Sequence, residues 1–364
     1  CCPIVKYVSA KNKKRKRNMD LTNVKWLDNY LDATKIKDID LIVELIGGAE
    51  GPAKKLVFNA LKNKKHVVTA NKALIAKYGD HLSKIAEKNK VNLEFEASVC
   101  GGVPIIRSLK EGLIANKILK IFGIFNGTSN YILSSMDKEN KNFDVVLSDA
   151  KKKGYAEANP IADLNGDDVA SKLKILTSLC FNSFINNNIY VEGIKQIDKI
   201  DIDNAKNLGY KIKLLGFAEL FNKKIYQRVH PTLIKKDTYV ASIDGVLNAV
   251  IIDGKPVGQS IIQGEGAGPS ATTSALVSDI SSILRGNIKF PFSLSNKERK
   301  KLKFENIKER FFSAYFRFEV IDKPGVLSNI TNVFSKNNTS IKRLIQNPNK
   351  SKNISSIIII THDS

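Results

Sequence analysis

Strands and helices alternate through the first hundred residues, a later stretch is strand-rich around glycine turns, and the chain closes on a short strand-helix-strand-strand run. Together these predict an α/β chain in three parts. Residues 1–100 read as an incomplete doubly wound, Rossmann-like unit, and 101–292 as an α+β unit on an open sheet. A polar, lysine-rich linker follows at 293–310, and 311–364 reads as part of a ferredoxin-like module.

In the first unit, residues 4–9, 40–46, 66–69 and 91–96 carry the short apolar runs of buried strands, with helical patterns at about 52–64 and 73–89 between them. A parallel sheet follows, and such sheets bind ligands at the carboxyl ends of their strands. Gly47-Gly48 and Thr69-Ala70-Asn71-Lys72 stand at two of these ends. No GxGxxG loop is present. That loop belongs to a first strand-helix turn, and the chain opens in what reads as a strand already under way, so it is taken as a fragment truncated at both ends. After 4–9, the run Ser9-Ala10-Lys11-Asn12-Lys13-Lys14-Arg15 offers cations and no acid before Asp20. That favours the extra phosphate of NADP over the bare ribose of NAD, with NAD still possible.

From residue 101 the pattern changes. Cys100-Gly101-Gly102-Val103-Pro104 is a glycine-rich turn opening a helix, and 122–130 reads as a strand ending in a small polar turn. Helices are expected at 133–153 and 167–181, and strands at about 189–194, 225–229, 238–243 and 246–252. The loop Gly264 to Pro269 starts a helix over about 268–285 that returns to the first unit; its amino end suits an anion or cofactor edge. In the last module, 312–321, 341–345 and 355–361 are strands, and Asp322-Lys323-Pro324-Gly325-Val326-Leu327 starts a helix.

Composition excludes several classes. No apolar run approaches the roughly 20 residues that span a bilayer. The four cysteines, Cys1, Cys2, Cys100 and Cys180, lack metal-like spacing and fit a reducing cytoplasm. The net charge of +22 is spread along the whole chain, and its one dense run, Lys11 to Arg17, has no interleaved aromatics, so nucleic acid is not the expected partner.

The chemistry concentrates in Gly154 to Lys172, GYAEANPIADLNGDDVASK. Glu157 and Asp163 lie in its loop, and Asp168 and Lys172 are four apart where it turns helical, on one face. Such a pocket suits a small substrate bearing an ammonium group, which the carboxylates hold while the lysine handles the proton of the reacting oxygen. Burial is expected to lower the lysine's pKa toward neutrality.

Four segments in this order resemble homoserine dehydrogenases: His66 to Lys72 (HVVTANK), Phe95 to Pro104 (FEASVCGGVP), Gly123 to Leu133 (GIFNGTSNYIL) and Gly154 to Lys172. Asp322 to Leu327 is similar to the strand-to-helix turn of ACT domains, which bind amino acids at domain pairs. The resemblance implies nicotinamide-dependent interconversion of L-homoserine and L-aspartate 4-semialdehyde. It implies Lys172 as proton donor and acceptor, Lys72 beside the reacting centre and the nicotinamide, Asp163 tuning the pocket, and Glu157 and Asp168 holding the substrate ammonium. Gly47, Gly48, Thr69, Asn71, Lys72 and Gly266 fall where the family meets its cofactor. The backbone carbonyls of Glu96, Val99, Gly101 and Val103 match a site for sodium or another monovalent cation. A homodimer or homotetramer is implied, as is an amino-acid effector at the ACT module. Asn159 departs from the pattern, standing where the family usually carries an acid.

Overall fold

A computed structural model describes residues 3–17, 19–286, 288–349 and 354–363. The chain divides after Glu305 into two units, each with its own contacts.

In the larger unit, β1 (Tyr7–Val8) pairs in parallel with β2 (Lys25–Trp26). Strands β3 (Leu41–Glu44), β4 (His66–Thr69) and β5 (Leu93–Glu94) form a second parallel sheet in that order. The expected single sheet is therefore in two pieces, with no ladder between them among the described residues. Helix α1 (Pro52–Lys62) buries Ala53, Leu56, Val57, Ala60 and Leu61, a three-four spacing that lays one stripe on the core. Helix α2 (Lys72–Asn89) starts where it does because Asn71 caps it, its side-chain oxygen accepting the Leu74 amide at 3.0 Å.

A seven-stranded sheet forms the middle of the chain. Its strands are β6 (Lys117–Ile124), β7 (Tyr190–Val191), β8 (Tyr210–Phe221), β9 (Lys224–Lys235), β10 (Leu247–Lys255), β11 (Gly258–Glu265) and β12 (Lys303–Phe304). The order is β11-β10-β6-β8-β9-β12, with β7 also on β9. Alternation along β10 divides the two faces. Val250 and Ile252 enter the main core, and Ala249 and Ile251 join a smaller cluster with Ile124, Leu215, Val240 and Ile243. Helices α3 (Gly127–Glu139), α4 (Phe143–Lys152), α5 (Ile161–Asn165), α6 (Asp167–Cys180) and α7 (Lys199–Asn207) supply the rest of the main core, with Tyr131, Val146, Leu164, Val169, Leu173 and Ile202 among its members.

Several expected elements are corrected. Residues 126–130 are not a turn after a strand but the start of α3, because the Asn126 side chain accepts the Ser129 amide at 2.7 Å and caps the helix. The single helix expected over 133–153 is two, broken at Asn140, whose φ of +55° ends α3. Residues 239–242 form a helical turn instead of a strand. β8, near the sheet's centre, escaped the pattern because Lys213-Leu214-Leu215-Gly216-Phe217-Ala218 is buried along most of its length and so shows no alternation.

Helix α8 (Pro269–Leu284) packs against β4 and the residues after β5. Leu276 and Ile283 pack with Val68, and Asp279 Oδ2 accepts the Glu96 amide at 2.9 Å. The expected linker 293–310 is not solvated throughout. Arg299 is 4% exposed, and β12 pairs with β9, so the stretch through Glu305 belongs to the larger unit.

The smaller unit contains β13 (Tyr315–Ile321), α9 (Val326–Lys336), β14 (Ile341–Asn349) and β15 (Ile354–Thr361). Its sheet order, β13-β15-β14, is antiparallel throughout, with the run Ile357 to Ile360 buried on the central strand. Phe316 and Phe318 pack edge-on against Phe334 of α9.

Candidate active site

Gly166, at φ +87°, makes the sharp entry into α6, and a Cβ there would press on Val191 and Val229 at 3.2 Å. The turn places Asp168 and Lys172 on one buried face of α6, 5% and 7% exposed. Asp168 Oδ2 receives Lys172 Nζ at 2.8 Å, and Oδ1 receives Lys72 Nζ, from the first residue of α2, also at 2.8 Å. Two ammonium groups from different helices thus share one carboxylate. Lys172 Nζ also donates to the Phe125 carbonyl at 2.6 Å.

Asn126 completes the cluster. Its Nδ2 donates to Asp168 Oδ2 at 2.9 Å and Asp163 Oδ1 at 2.7 Å while its Oδ1 caps α3, so one amide uses both ends. Sequence reasoning passed over Asn126; the signal was an Asn directly before a helix-starting Gly-Thr-Ser. With Asp163, Asp168, Lys72 and Lys172 the cluster has no net formal charge.

The pKa shifts follow from these contacts. Burial works against ionisation of Asp168, yet the charges of Lys172 and Lys72 hold its carboxyl well below the usual range. Burial works against the charge on Lys172 as well, but Asp168, with smaller contributions from Cys100 and Asp163, leaves the lysine above its ordinary value. The expectation of a lowered lysine is therefore corrected: the paired carboxylate wins over desolvation. Burial, then the Asp168 charge, raises Asp163.

Glu157 is not brought in. It is exposed in the loop before α5 and takes part in no ion pair among the described residues. That loop is tied down nearby, where Thr128 Oγ1 donates to the Tyr155 carbonyl at 2.7 Å and the Tyr155 ring packs on Tyr131 at 4.9 Å.

The candidate cofactor residues gather around Glu44, a buried acid at the end of β3 that sequence reasoning also missed. Glu44 Oε1 accepts the amides of Ile46 at 2.7 Å and Gly47 at 2.9 Å, and Oε2 accepts Thr69 Oγ1 at 2.6 Å. Asn71 Nδ2 reaches the Gly48 carbonyl at 2.8 Å. Gly47 and Gly48, at φ +83° and +80°, take a backbone path that residues with a Cβ rarely follow. Gly266 lies apart in sequence, where any Cβ would fall within 2.1 Å of the Asn248 side chain.

The candidate cation residues Glu96, Val99, Gly101 and Val103 lie along one largely buried segment, from the 3-10 helix Glu96–Ser98 to the glycine turn closed by the Val103 amide on the Cys100 carbonyl. The Glu96 carboxylate does not point to a ligand but holds the amides of Ile106 at 2.8 Å and Arg107 at 2.7 Å. The Gly102 amide donates to the Glu265 carbonyl at 2.9 Å and ties this segment to the Gly266 loop. Among the described residues, no group of three or more His, Cys, Asp or Glu could hold a metal ion, and no helix is long and apolar enough to cross a membrane.

A parallel nucleotide-type unit beside a lysine-carboxylate centre carried on α2 and α6 fits a nicotinamide-dependent oxidoreductase acting on a CH–OH group. A family model described as homoserine dehydrogenase matches residues 104–281, and one described as its NAD-binding domain matches 4–96. The homoserine dehydrogenase of Neisseria gonorrhoeae is 42% identical over 335 residues, covering 90% of this chain and 77% of that protein. That of Bacillus subtilis is 37% identical, covering 99% of this chain and 84% of its relative. A crystal structure of the Thiobacillus denitrificans enzyme superposes with a TM-score of 0.86 at 40% identity, covering 93% of this chain and 79% of that one. The chain belongs to the homoserine dehydrogenase family. Its reaction is the interconversion of L-homoserine and L-aspartate 4-semialdehyde with a nicotinamide cofactor, a step of amino-acid biosynthesis.

Proposed function

We propose that Lys172 exchanges the proton of the reacting oxygen, carried above all by its burial beside Asp168 and the Phe125 carbonyl. A bound nicotinamide would supply the acceptor for the hydride of the alcohol carbon, held by the residues around Glu44 and Gly266. Lys72, on the opposite oxygen of Asp168, stands beside the oxygen as negative charge develops there, so its ammonium stabilises the transition state more than the ground state. Asp163 orients the pair through Asn126. Asp168 and Glu157 hold the substrate ammonium, Asp168 from the buried cluster and Glu157 from the exposed loop before α5. A substrate cation arriving at Asp168 divides that carboxylate among three cations and drives Lys172 back toward releasing its proton.

Gly47, Gly48, Thr69, Asn71, Lys72 and Gly266 contact the cofactor, and the strand-end turn at Glu44 leaves backbone for a ligand to approach closely. NADP is the preferred cofactor: Lys11, Lys14 and Arg15 are exposed beyond β1 with no acid among them. A hyperthermophilic archaeal homoserine dehydrogenase solved in complex with NADPH is 27% identical, with a TM-score of 0.63. A monovalent cation such as sodium suits the carbonyls of Glu96, Val99, Gly101 and Val103, since backbone carbonyl oxygens match a hard cation. The division of labour follows the sequence: 1–100 with α8 for the cofactor, 101–292 for substrate and dimer, and 311–364 as a partial ACT domain. The last reading rests on the β13-β15-β14 order and on a cleft of about 490 Å³ lined by Asp322, Lys323, Gly325, Val326 and Gln346, suited to an amino-acid effector.

Initial rates of homoserine-dependent reduction of NADP and of NAD test this reading. A higher kcat/KM with NADP supports it, and equal or better use of NAD contradicts the cofactor assignment.

A further inference from the structure

Lys72 opens α2 and Lys172 lies within α6, so the two ammonium groups meet on Asp168 only while those helices keep one register. The stretch expected as a linker supplies a polar tie between them. The side chain of Arg299 is fully buried. Its Nη2, with two N–H groups, lies within hydrogen-bond distance of Asp80 Oδ1 of α2 at 2.6 Å, Ser178 Oγ of α6 at 2.8 Å and the Ser183 carbonyl beyond α6 at 2.7 Å. Nη1 reaches Asn296 Oδ1 at 3.3 Å. The guanidinium lies over the rings of Phe292 at 4.4 Å and Phe184 at 4.7 Å. The second oxygen of Asp80 accepts the Ile185 amide at 2.9 Å, adding another bond between α2 and the chain that follows α6. Asp80 is eight residues from Lys72, about 12 Å along α2, and Ser178 is six from Lys172, about 9 Å along α6, so the tie touches no reacting group.

We infer that Arg299 is a positioning residue for the two-lysine centre: it locks α2 against α6 in the register that lets Lys72 and Lys172 share Asp168. Nη2 alone reaches both helices, while Nη1 holds Asn296 and the planar group lies against two rings. A lysine there keeps the charge but loses the Nη1 bond and the flat face between Phe184 and Phe292 that holds Nη2 in place. The inference rests on the proposed roles of the two lysines.

The test compares Arg299→Lys and Asp80→Asn by single-turnover homoserine oxidation at high enzyme concentration, each made alone and with Lys72→Met. Asp80 is partly exposed, so its variant keeps the test open if Arg299→Lys fails to fold. In the wild-type background the rate falls about 10- to 100-fold, the scale of a misplaced catalytic group. With Lys72 already removed, the same changes lower the rate further by less than twofold, because no Lys72 remains to be misplaced. A merely structural tie would lower the melting temperature and reduce the rate by the same factor in both backgrounds, or not at all, and either result overturns the inference. Lys172→Met is run alongside: if it alone keeps wild-type activity, the underlying reading of the site has failed instead.

Discussion

Asn126 shows how one side chain joins the helix start to the chemistry. Its amide oxygen caps α3 and its amide nitrogen bridges Asp163 and Asp168, a combination unavailable to Asp or Ser. Asn126→Asp keeps the cap and places a third carboxylate among the two already there. Homoserine turnover is expected to fall about 100-fold, with a stability loss on the order of 1 to 3 kcal/mol from the unpaired carboxylates, read by initial rates and urea denaturation. Wild-type turnover in this variant would contradict the bridge's role. The lysine's raised pKa also carries a sign. Homoserine oxidation needs Lys172 neutral, so its rate climbs toward alkaline pH, while semialdehyde reduction uses the protonated lysine and holds from neutral pH until that same group titrates. Parallel rate profiles in both directions check this, and an oxidation rate that falls with rising pH would contradict it.

At the scale of elements, the turns matter more than the strands they end. Glu44 arranges the end of β3 by accepting three donors, so Glu44→Ala strips partners from two amides and a hydroxyl at once. The expected cost is roughly 2 to 4 kcal/mol in denaturant unfolding, together with weaker NADP binding by fluorescence titration. Asp279 of α8 behaves differently. Burial and then the Glu94 charge push its carboxyl up to about 7. Because the folded value lies above the unfolded one, stability is lost as pH rises between them, and the full cost of the charge is present above about 7. Asp279→Asn keeps an acceptor for the Glu96 amide and removes that cost, so its melting temperature should exceed wild type at alkaline pH and match it at acid pH. The reverse order would contradict the shift. These elements also mark what could be read in advance. The helix α6 and its Asp-Lys face were legible because an i,i+4 pair follows a glycine. β8 was not, since a strand buried along its length shows no period of two. Glu44 was hidden too, because a lone acid at the end of an apolar run gives no sign of being the hub of a turn.

Across the whole molecule, the residues of the candidate centre come from parts of the chain far apart in sequence: Lys72 from α2, Asn126 from the start of α3, and Asp168 and Lys172 from α6. Sequence motifs named most of these, but their meeting on Asp168 depends on α2 packing against α6, and that packing draws on Arg299 from a stretch whose lysines and serines read as solvent-facing. Glu157 shows the converse, a motif residue left exposed outside the cluster. The central claim is that Lys172, held by Asp168, exchanges the proton of the reacting oxygen. The most direct test is homoserine-dependent NADP reduction by wild type and by Lys172→Met, which removes the ammonium and keeps much of the side chain's length. The account predicts a loss of about 10² to 10⁴-fold in kcat with the fold intact. A Lys172→Met enzyme within a few-fold of wild type would contradict it.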